Sequence, residues 1–481
     1  MPEITTAQYR DLVIQALPDA ADSDTDPVQR ETLFTPNSHR RALEPDVTVV
    51  KGARGVGKTY WFKSLREPEL RELAAAEYRL PHLKQVETLA GFGSRQETDS
   101  YPDSRILAKL VEDGVDPVDI WTTVVLKALD IEEFRANPDW EWSERIRWLR
   151  DQPEKAARAR ERADNLSKAE KKTKLILFDA LDRLNSERAK SDRLASGILQ
   201  VALELRLSTS NIRAKVFIRH DMLESAPTFP DASKLTSNAA DLTWSVTDLY
   251  GLLFQYLGNT DTPESALFRA HSGRWTGNEE RQVPPEGLIG DRDVQTKYVT
   301  ELASAYMGTD HRKGYTYPWL PNHLADGNGQ TSPRSFLVAL RAAGEETQRT
   351  FVGHGHPLHW DAIRRGVQKA SQIRVEQVSE DMPWVKTAIE PLKGMQVPME
   401  EADLVARWRS NDLETLLEAH NDSLDRTRTG PRNARNYPKL IDELITLGIM
   451  TRRANGKIDL PDVYRLAFGL GRKGGVPRPK S

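Results

Sequence analysis

Residues Gly52-Ala53-Arg54-Gly55-Val56-Gly57-Lys58-Thr59 fit the pattern GxxxxGK[ST], and their flanks fix the setting in which that pattern works. Val47-Thr48-Val49-Val50-Lys51, directly before them, is a β-branched run that reads as a buried strand. Tyr60-Trp61-Phe62-Lys63-Ser64-Leu65, directly after them, continues as a helix. Glycines at 52, 55 and 57 let the backbone curl so that successive N–H groups point inward, and the new helix adds its positive end. Such a loop cradles the phosphates of a nucleotide. The chemistry assigns Lys58 to the β- and γ-phosphates and the Thr59 hydroxyl to a bridging Mg2+. Arg54 reads as a solvated arginine inside the loop.

A second segment supplies what the metal side of such a site needs. Lys174-Leu175-Ile176-Leu177-Phe178-Asp179 is an apolar strand ending in a carboxylate, followed by Ala180-Leu181-Asp182-Arg183-Leu184. In a parallel sheet the strand delivers Asp179 to the same edge as the glycine loop, where it holds Mg2+ through water. Asp182 is placed to turn back and polarise an attacking water; its alternative is a helix N-cap.

The rest of the chain sets the scale. Its 481 residues call for two to four domains. Strand patterns at Lys215–Arg219 and Asp241–Trp244 alternate with helical ones, Asp116–Leu129 and about 187–207, which predicts a parallel sheet covered by helices. Residues 151–174 are dense in charge and read as an exposed helix or insert. Residues 259–329 are rich in Gly, Pro and aromatics and give no clear order. Ser332-Pro333-Arg334 opens a helix, and another starts near Pro357. Tyr437–Leu447 is a helix stopped by Gly448, and Ala454-Asn455-Gly456-Lys457 is a hairpin turn; together they read as a winged helix. The expected domains are an N-terminal segment 1–44 lying against the nucleotide domain, a phosphate-loop domain 45–258, a helical lid domain 259–390, and a winged-helix domain with a basic tail, 391–481. Trp61, Phe62 and Trp244 read as core.

Composition excludes several chemistries. There is no cysteine, so disulfides, thiolate zinc sites and cysteine nucleophiles are out, in keeping with a cytoplasmic chain. No run approaches about 18 apolar residues, so no membrane partner is expected. His354, His356 and His359 read as ordinary loop histidines rather than metal ligands. The net charge is −3, but Leu424–Ser481 carries 13 Lys/Arg against 5 Asp/Glu, a net of +8 on an otherwise acidic body. That end suits an anionic partner such as DNA or serves only solubility. Arg452, Arg453 and Lys457 flank the wing.

At these motifs the chain resembles a known class. The strand ending Asp179-x-x-Asp182-Arg183 looks like the Walker B segment of STAND-class signalling ATPases and the related KAP ATPases. It differs from the Asp-Glu pair of the usual AAA+ proteins. The strand Val216-Phe217-Ile218-Arg219 is similar to the STAND sensor strand, which implies that Arg219 senses the γ-phosphate; the alternative is a strand-end arginine in a surface ion pair. Ser332-Pro333-Arg334 resembles the start of the lid helix of origin-recognition and STAND ATPases, which implies that Arg334 clamps the phosphates from the lid; the alternative is capping alone. The resemblance covers about residues 30–345 and the C-terminus. The long charged stretch before Asp179 and the lack of a NACHT signature depart from it and leave the subfamily open. Leu460–Arg465 with Arg472–Val476 looks like the end of a family of bacterial P-loop ATPases, a wider group of which some members sit in defence gene clusters. The resemblance implies a slow ATPase, converting ATP and water to ADP and phosphate, that works as a switch: nucleotide locks the nucleotide domain against the winged helix, and exchange or activation opens the pair for assembly, with DNA or a protein as the winged helix's partner. The rivals are a DNA-binding ATPase of the origin-recognition or plasmid-maintenance kind and a nucleotide-binding scaffold without turnover.

Overall fold

The computed structural model describes residues 4–19, 27–185, 187–226, 229–278, 280–422 and 430–474. The described residues form two units, one holding Asn37–Thr243 and the other the residues on either side of it.

The Asn37–Thr243 unit is built on a five-stranded sheet in the order β2-β3-β4-β1-β5, with every neighbouring pair parallel. The strands are β1 (Val49–Lys51), β2 (Val86–Phe92), β3 (Thr173–Phe178), β4 (Ile212–Ile218) and β5 (Ala240–Asp241). The runs that read as strands do so because the sheet is buried on both faces: Leu175, Ile176, Leu177 and Phe178 are all shielded from solvent. Helices Pro117–Ala128 and Arg188–Ser208 cover the sheet and bury Ile120, Trp121, Val124, Leu194, Ile198 and Leu205 at helical spacing. Asp116 caps the first of these through Val118 N–H. The charge-dense stretch is the helix Pro153–Ala169, which buries Ala156 and Ala159 and leaves its charges outside.

Because all five strands run the same way, their carboxyl ends share one edge. Lys51 of β1 is in register with Ile218 of β4, and Phe178 of β3 with Val216 of β4. Gly52, Asp179 and Arg219, each the first residue past its strand, therefore line the edge side by side.

In the other unit the N-terminal helix Thr6–Ala16 packs Tyr9, Leu12 and Val13 into a core shared with helices Val246–Asn259, Pro333–Thr350 and Trp360–Asp381. The sequence suggests this segment for the nucleotide domain; its apolar face instead enters this second core. A third cluster lies in the C-terminal part, around Trp384, Leu404, Trp408, Ile441, Leu444 and Ile458. There the chain runs helix Pro383–Ile389, the short strand Gln396–Val397, helices Glu401–Ser410, Leu413–Asp422 and Tyr437–Thr446, then the hairpin Thr451–Arg452 and Ile458–Asp459. Met399 meets Ile458 of the hairpin in a single antiparallel bridge, its N–H donating to Ile458 O and its O accepting from Ile458 N–H, each at 2.9 Å. That order is a winged helix. The fold is thus α/β, a parallel phosphate-loop sheet flanked by helices, with further helices and a C-terminal winged helix.

Candidate functional site

Backbone conformation makes the loop. Gly55 and Gly57 have φ of 78° and 106°, in the left-handed region that side chains other than glycine's resist. Gly52 is held by its N–H to Ile218 O at 3.2 Å, and a Cβ there would stand 2.6 Å from Val56 Cγ2. The buried Val56 thus locks the loop over the start it came from. The helix Lys58–Arg66 opens at Gly57 without a side-chain cap, so its first N–H groups face the loop's concavity.

Lys58 Nζ donates to Gly52 O at 2.9 Å and Ala53 O at 2.8 Å, closing a ring with its own loop. Burial pushes its ammonium down to about 8, against the pull of Asp179. Asp179, 2% exposed, is raised to about 6 by burial, and the hydrogen bond from Thr59 works the other way. Its N–H is fixed on Phe92 O at 3.0 Å, and its Oδ2 has no hydrogen-bond partner among the described residues. A buried, orphaned carboxylate oxygen beside a threonine hydroxyl is a donor pair suited to a hard divalent cation. Thr59 and Asp179 are therefore the residues that could hold Mg2+.

After Asp179 the chain turns sharply. Ala180 sits at φ 56° and ψ 39°, and Leu181–Arg183 form a single 3-10 turn. Asp182 is exposed on that turn, near enough to act on both Lys58 and Arg219. It is not the N-cap of the following helix, which is Glu187. Arg183 is exposed and Arg54 half-buried.

Arg219 is held in a buried, two-pronged pair. Its Nε donates to Asp221 Oδ1 at 2.9 Å and its Nη2 to Asp221 Oδ2 at 2.8 Å. Burial opposes the charge, but Asp221 holds the guanidinium above its ordinary value. A strand-end arginine is more often paired at the surface; this pair is a buried one. Arg334 is the second residue of the helix Pro333–Thr350, capped by Ser332, and belongs to the other unit. Sequence reasoning misses Asp221 and Arg188. The signal for Asp221 is its place two residues after the strand-end arginine, a spacing that lets a carboxylate fold back on a guanidinium.

The histidines have structural work. His359 caps the helix Trp360–Asp381 through Asp361 N–H and stacks on Phe351 at 3.9 Å, and His356 Nδ1 is 3.1 Å from Glu301 O. Around the wing, Arg452 lies 2.6 Å from Glu401, Lys457 2.8 Å from Glu400, and Arg453 2.6 Å from Asp459. Part of the basic end, residues 424–429 and 475–481, including Val476, lies outside the described residues. Among the described residues no helix is long and apolar enough to cross a membrane.

No protein-family model and no curated protein matches the chain. Among solved structures it is similar to the Aeropyrum pernix ORC2 protein in ADPNP–ADP complexes, at 15% identity over 94% of this chain and 96% of that one, with a TM-score of 0.39. The ADP form of the same protein aligns at 12% identity over 93% and 94%, TM-score 0.33. Cdc6p from Pyrobaculum aerophilum aligns at 14% over 87% and 84%, TM-score 0.28.

Proposed function

We propose that the chain binds ATP with Mg2+ at the edge formed by Gly52–Thr59, Asp179 and Arg219, and hydrolyses it slowly. The observation that carries this reading is the trio of Lys58, Thr59 and Asp179: a glycine-loop lysine, a hydroxyl on the first turn of an uncapped helix, and a buried carboxylate with one oxygen unpartnered. Lys58 leaves its loop carbonyls for the β- and γ-phosphates, which add to the counter-charge that Asp179 already offers its ammonium. Bound between Thr59 and Asp179, Mg2+ would neutralise developing phosphate charge. Asp182, exposed and unburdened by a capping duty, orients the attacking water. Arg219 senses the γ-phosphate, and Arg334 serves as the second sensor. In this reading the Asn37–Thr243 unit is the nucleotide domain, the helix Val246–Asn259 and the residues up to 390 are the lid, and 391–481 the output.

The switch reading, STAND-like and of the kind found near bacterial defence genes, has nucleotide control the winged helix and, through it, assembly with a protein partner or further copies of the chain. It is supported by the wing, whose basic residues are engaged by Glu400, Glu401 and Asp459. The second reading, a DNA-binding ATPase, is supported by the winged helix itself and by the basic end of the chain; Arg452 and Lys457 are partly exposed, so their pairs exchange at little cost.

The deciding experiment is calorimetric titration with Mg-ATP. The wild type binds and Lys58→Ala does not, with the fold intact by circular dichroism; equal affinity in the two removes the reading. Asp182→Asn should keep ATP binding while phosphate release falls by about 100-fold. Loss of binding in step with turnover would make Asp182 a metal or structural residue.

A further inference from the structure

Asp221 is shared. Besides the two bonds from Arg219, its Oδ2 accepts from Arg188 Nη2 at 3.2 Å, and Arg188 Nε also lies 3.4 Å from Asp192. Asp192 is fixed in turn by Ser225 Oγ at 3.1 Å. The Asp221 side chain is 9% exposed, Arg219 12% and Arg188 18%. Two guanidinium groups therefore compete for one largely buried carboxylate, and only one of them follows β4 at the phosphate edge. The other stands at the start of the helix Arg188–Ser208.

Burial alone would raise the Asp221 carboxyl, yet Arg219 and then Arg188 hold it well below the usual carboxylate range. A buried carboxylate that lost its sole cation would be left uncompensated, which is costly. Asp221 escapes that cost when Arg219 leaves, because Arg188 stays. Arg219 is thus stored in a pair that can be broken without orphaning either charge, provided that a new anion receives the guanidinium.

Resting on the ATP reading above, we infer that Asp221 is a positioning residue that holds Arg219 back from the phosphate edge until a γ-phosphate competes for it, and that Arg188 is the counter-ion that makes the exchange possible. The γ-phosphate draws Arg219 away, Asp221 closes on Arg188, and the start of the helix Arg188–Ser208 registers the change. ADP, with no γ-phosphate, leaves Arg219 on Asp221. The exchange sets how sharply the protein distinguishes ATP from ADP.

The readout is the ratio of affinities for a non-hydrolysable ATP analogue and ADP, measured by calorimetry on the full chain. Asp221→Asn removes the strongest charge holding Arg219 and raises the preference for the analogue by about tenfold, the worth of one charge-assisted hydrogen bond. Arg188→Gln strands Asp221 on Arg219 and shifts the ratio the opposite way. In an Arg219→Ala background, Asp221→Asn changes nothing. A merely structural Asp221 would weaken both nucleotides together and leave the ratio alone. Shifts of the same sign in Asp221→Asn and Arg188→Gln, or no shift in either, overturn the inference while leaving nucleotide binding in place. A wild type that binds neither nucleotide overturns the ATP reading itself, and this inference with it. Should Asp221→Asn fail to fold, the sign of the Arg188→Gln shift decides alone.

Discussion

At the scale of single residues, the site rests on positions where almost nothing else fits. Gly52 is one: its missing side chain is what lets Val56 sit on it, since a methyl there would stand 2.6 Å from Val56 Cγ2 and 3.4 Å from Leu242 Cβ. Gly52→Ala should therefore push the loop off β4 and loosen both carbonyls that Lys58 spans. The expected result is a drop of about tenfold or more in Mg-ATP affinity with a melting temperature within a few degrees of wild type, since the loop is local and the sheet is not. Unchanged affinity would mean that the loop relaxes freely, and the cradle argument would fail. These loop residues are legible in the sequence because phosphate chemistry dictates their types at fixed spacing. Asp179 is legible for a related reason, as an apolar run that stops at a carboxylate. Arg188 is not. Its role depends on three side chains meeting from two elements, and no spacing along the chain encodes that.

Elements are legible in proportion to their burial. β1, β3 and β4 lie inside the sheet, and the apolar runs Val49-Val50, Leu175–Phe178 and Val216–Ile218 within them mark them. β2 is an edge strand reading Val-Glu-Thr-Leu-Ala-Gly-Phe, with four half-buried positions in a row, and its mixed composition hides it. Between residues 259 and 329 most of the described elements are helices of ten residues or fewer, one with Pro321 inside it, and two-residue strands, too brief for a period to emerge; the twelve-residue helix Arg292–Ala303, which buries Gln295, Tyr298, Val299 and Leu302, is the exception. The join between the 3-10 turn Asn37–His39 and the helix Lys58–Arg66 is equally invisible. His39, fully buried, accepts from Trp61 Nε1–H at 2.9 Å and faces Thr243 O at 3.0 Å, which fixes it as the neutral ring protonated on Nε2. Burial lowers it from 6.5 to about 4. The unfolded chain therefore takes up a proton between those values and the folded one does not. The His39 contribution is complete above about pH 6.5 and is lost as pH falls toward 4, by about 3 kcal/mol at most. His39→Gln can keep both bonds without titrating, so its denaturation midpoint should depend less steeply on pH over that window. Parallel pH slopes for wild type and variant would show that another group carries the acid sensitivity.

On the scale of the whole molecule, charge decides between the two outputs of the proposed switch. The composition shows a basic end but not that the wing's cations already have acidic partners, because Glu400 and Glu401 lie some fifty residues before Arg452 and Lys457. Those two pairs are partly exposed and are worth little, so DNA phosphates could replace the glutamates. Arg453 is different. Its partner Asp459 is 1% exposed and is also held by Arg472 at 3.2 Å, so removing Arg453 weakens a buried network and should destabilise the winged helix by about 1–3 kcal/mol. A test of DNA binding must therefore leave Arg453 in place. If duplex DNA is the partner, its affinity should fall steeply with salt, and Arg452→Ala with Lys457→Ala should flatten the slope by up to about two units, one for each phosphate that is no longer neutralised. If the output is assembly, duplex binding should be absent even at low salt. Sedimentation should then show ATP-promoted self-association that Lys58→Ala abolishes, with turnover per molecule rising with protein concentration. An arginine supplied by a neighbouring copy can contribute about a thousandfold or more to such a rate, and Arg183, exposed next to Asp182, is the candidate to substitute. A strictly monomeric chain with concentration-independent turnover would exclude the assembly output. DNA binding whose salt slope is unmoved by the double variant would place the DNA elsewhere than on the wing.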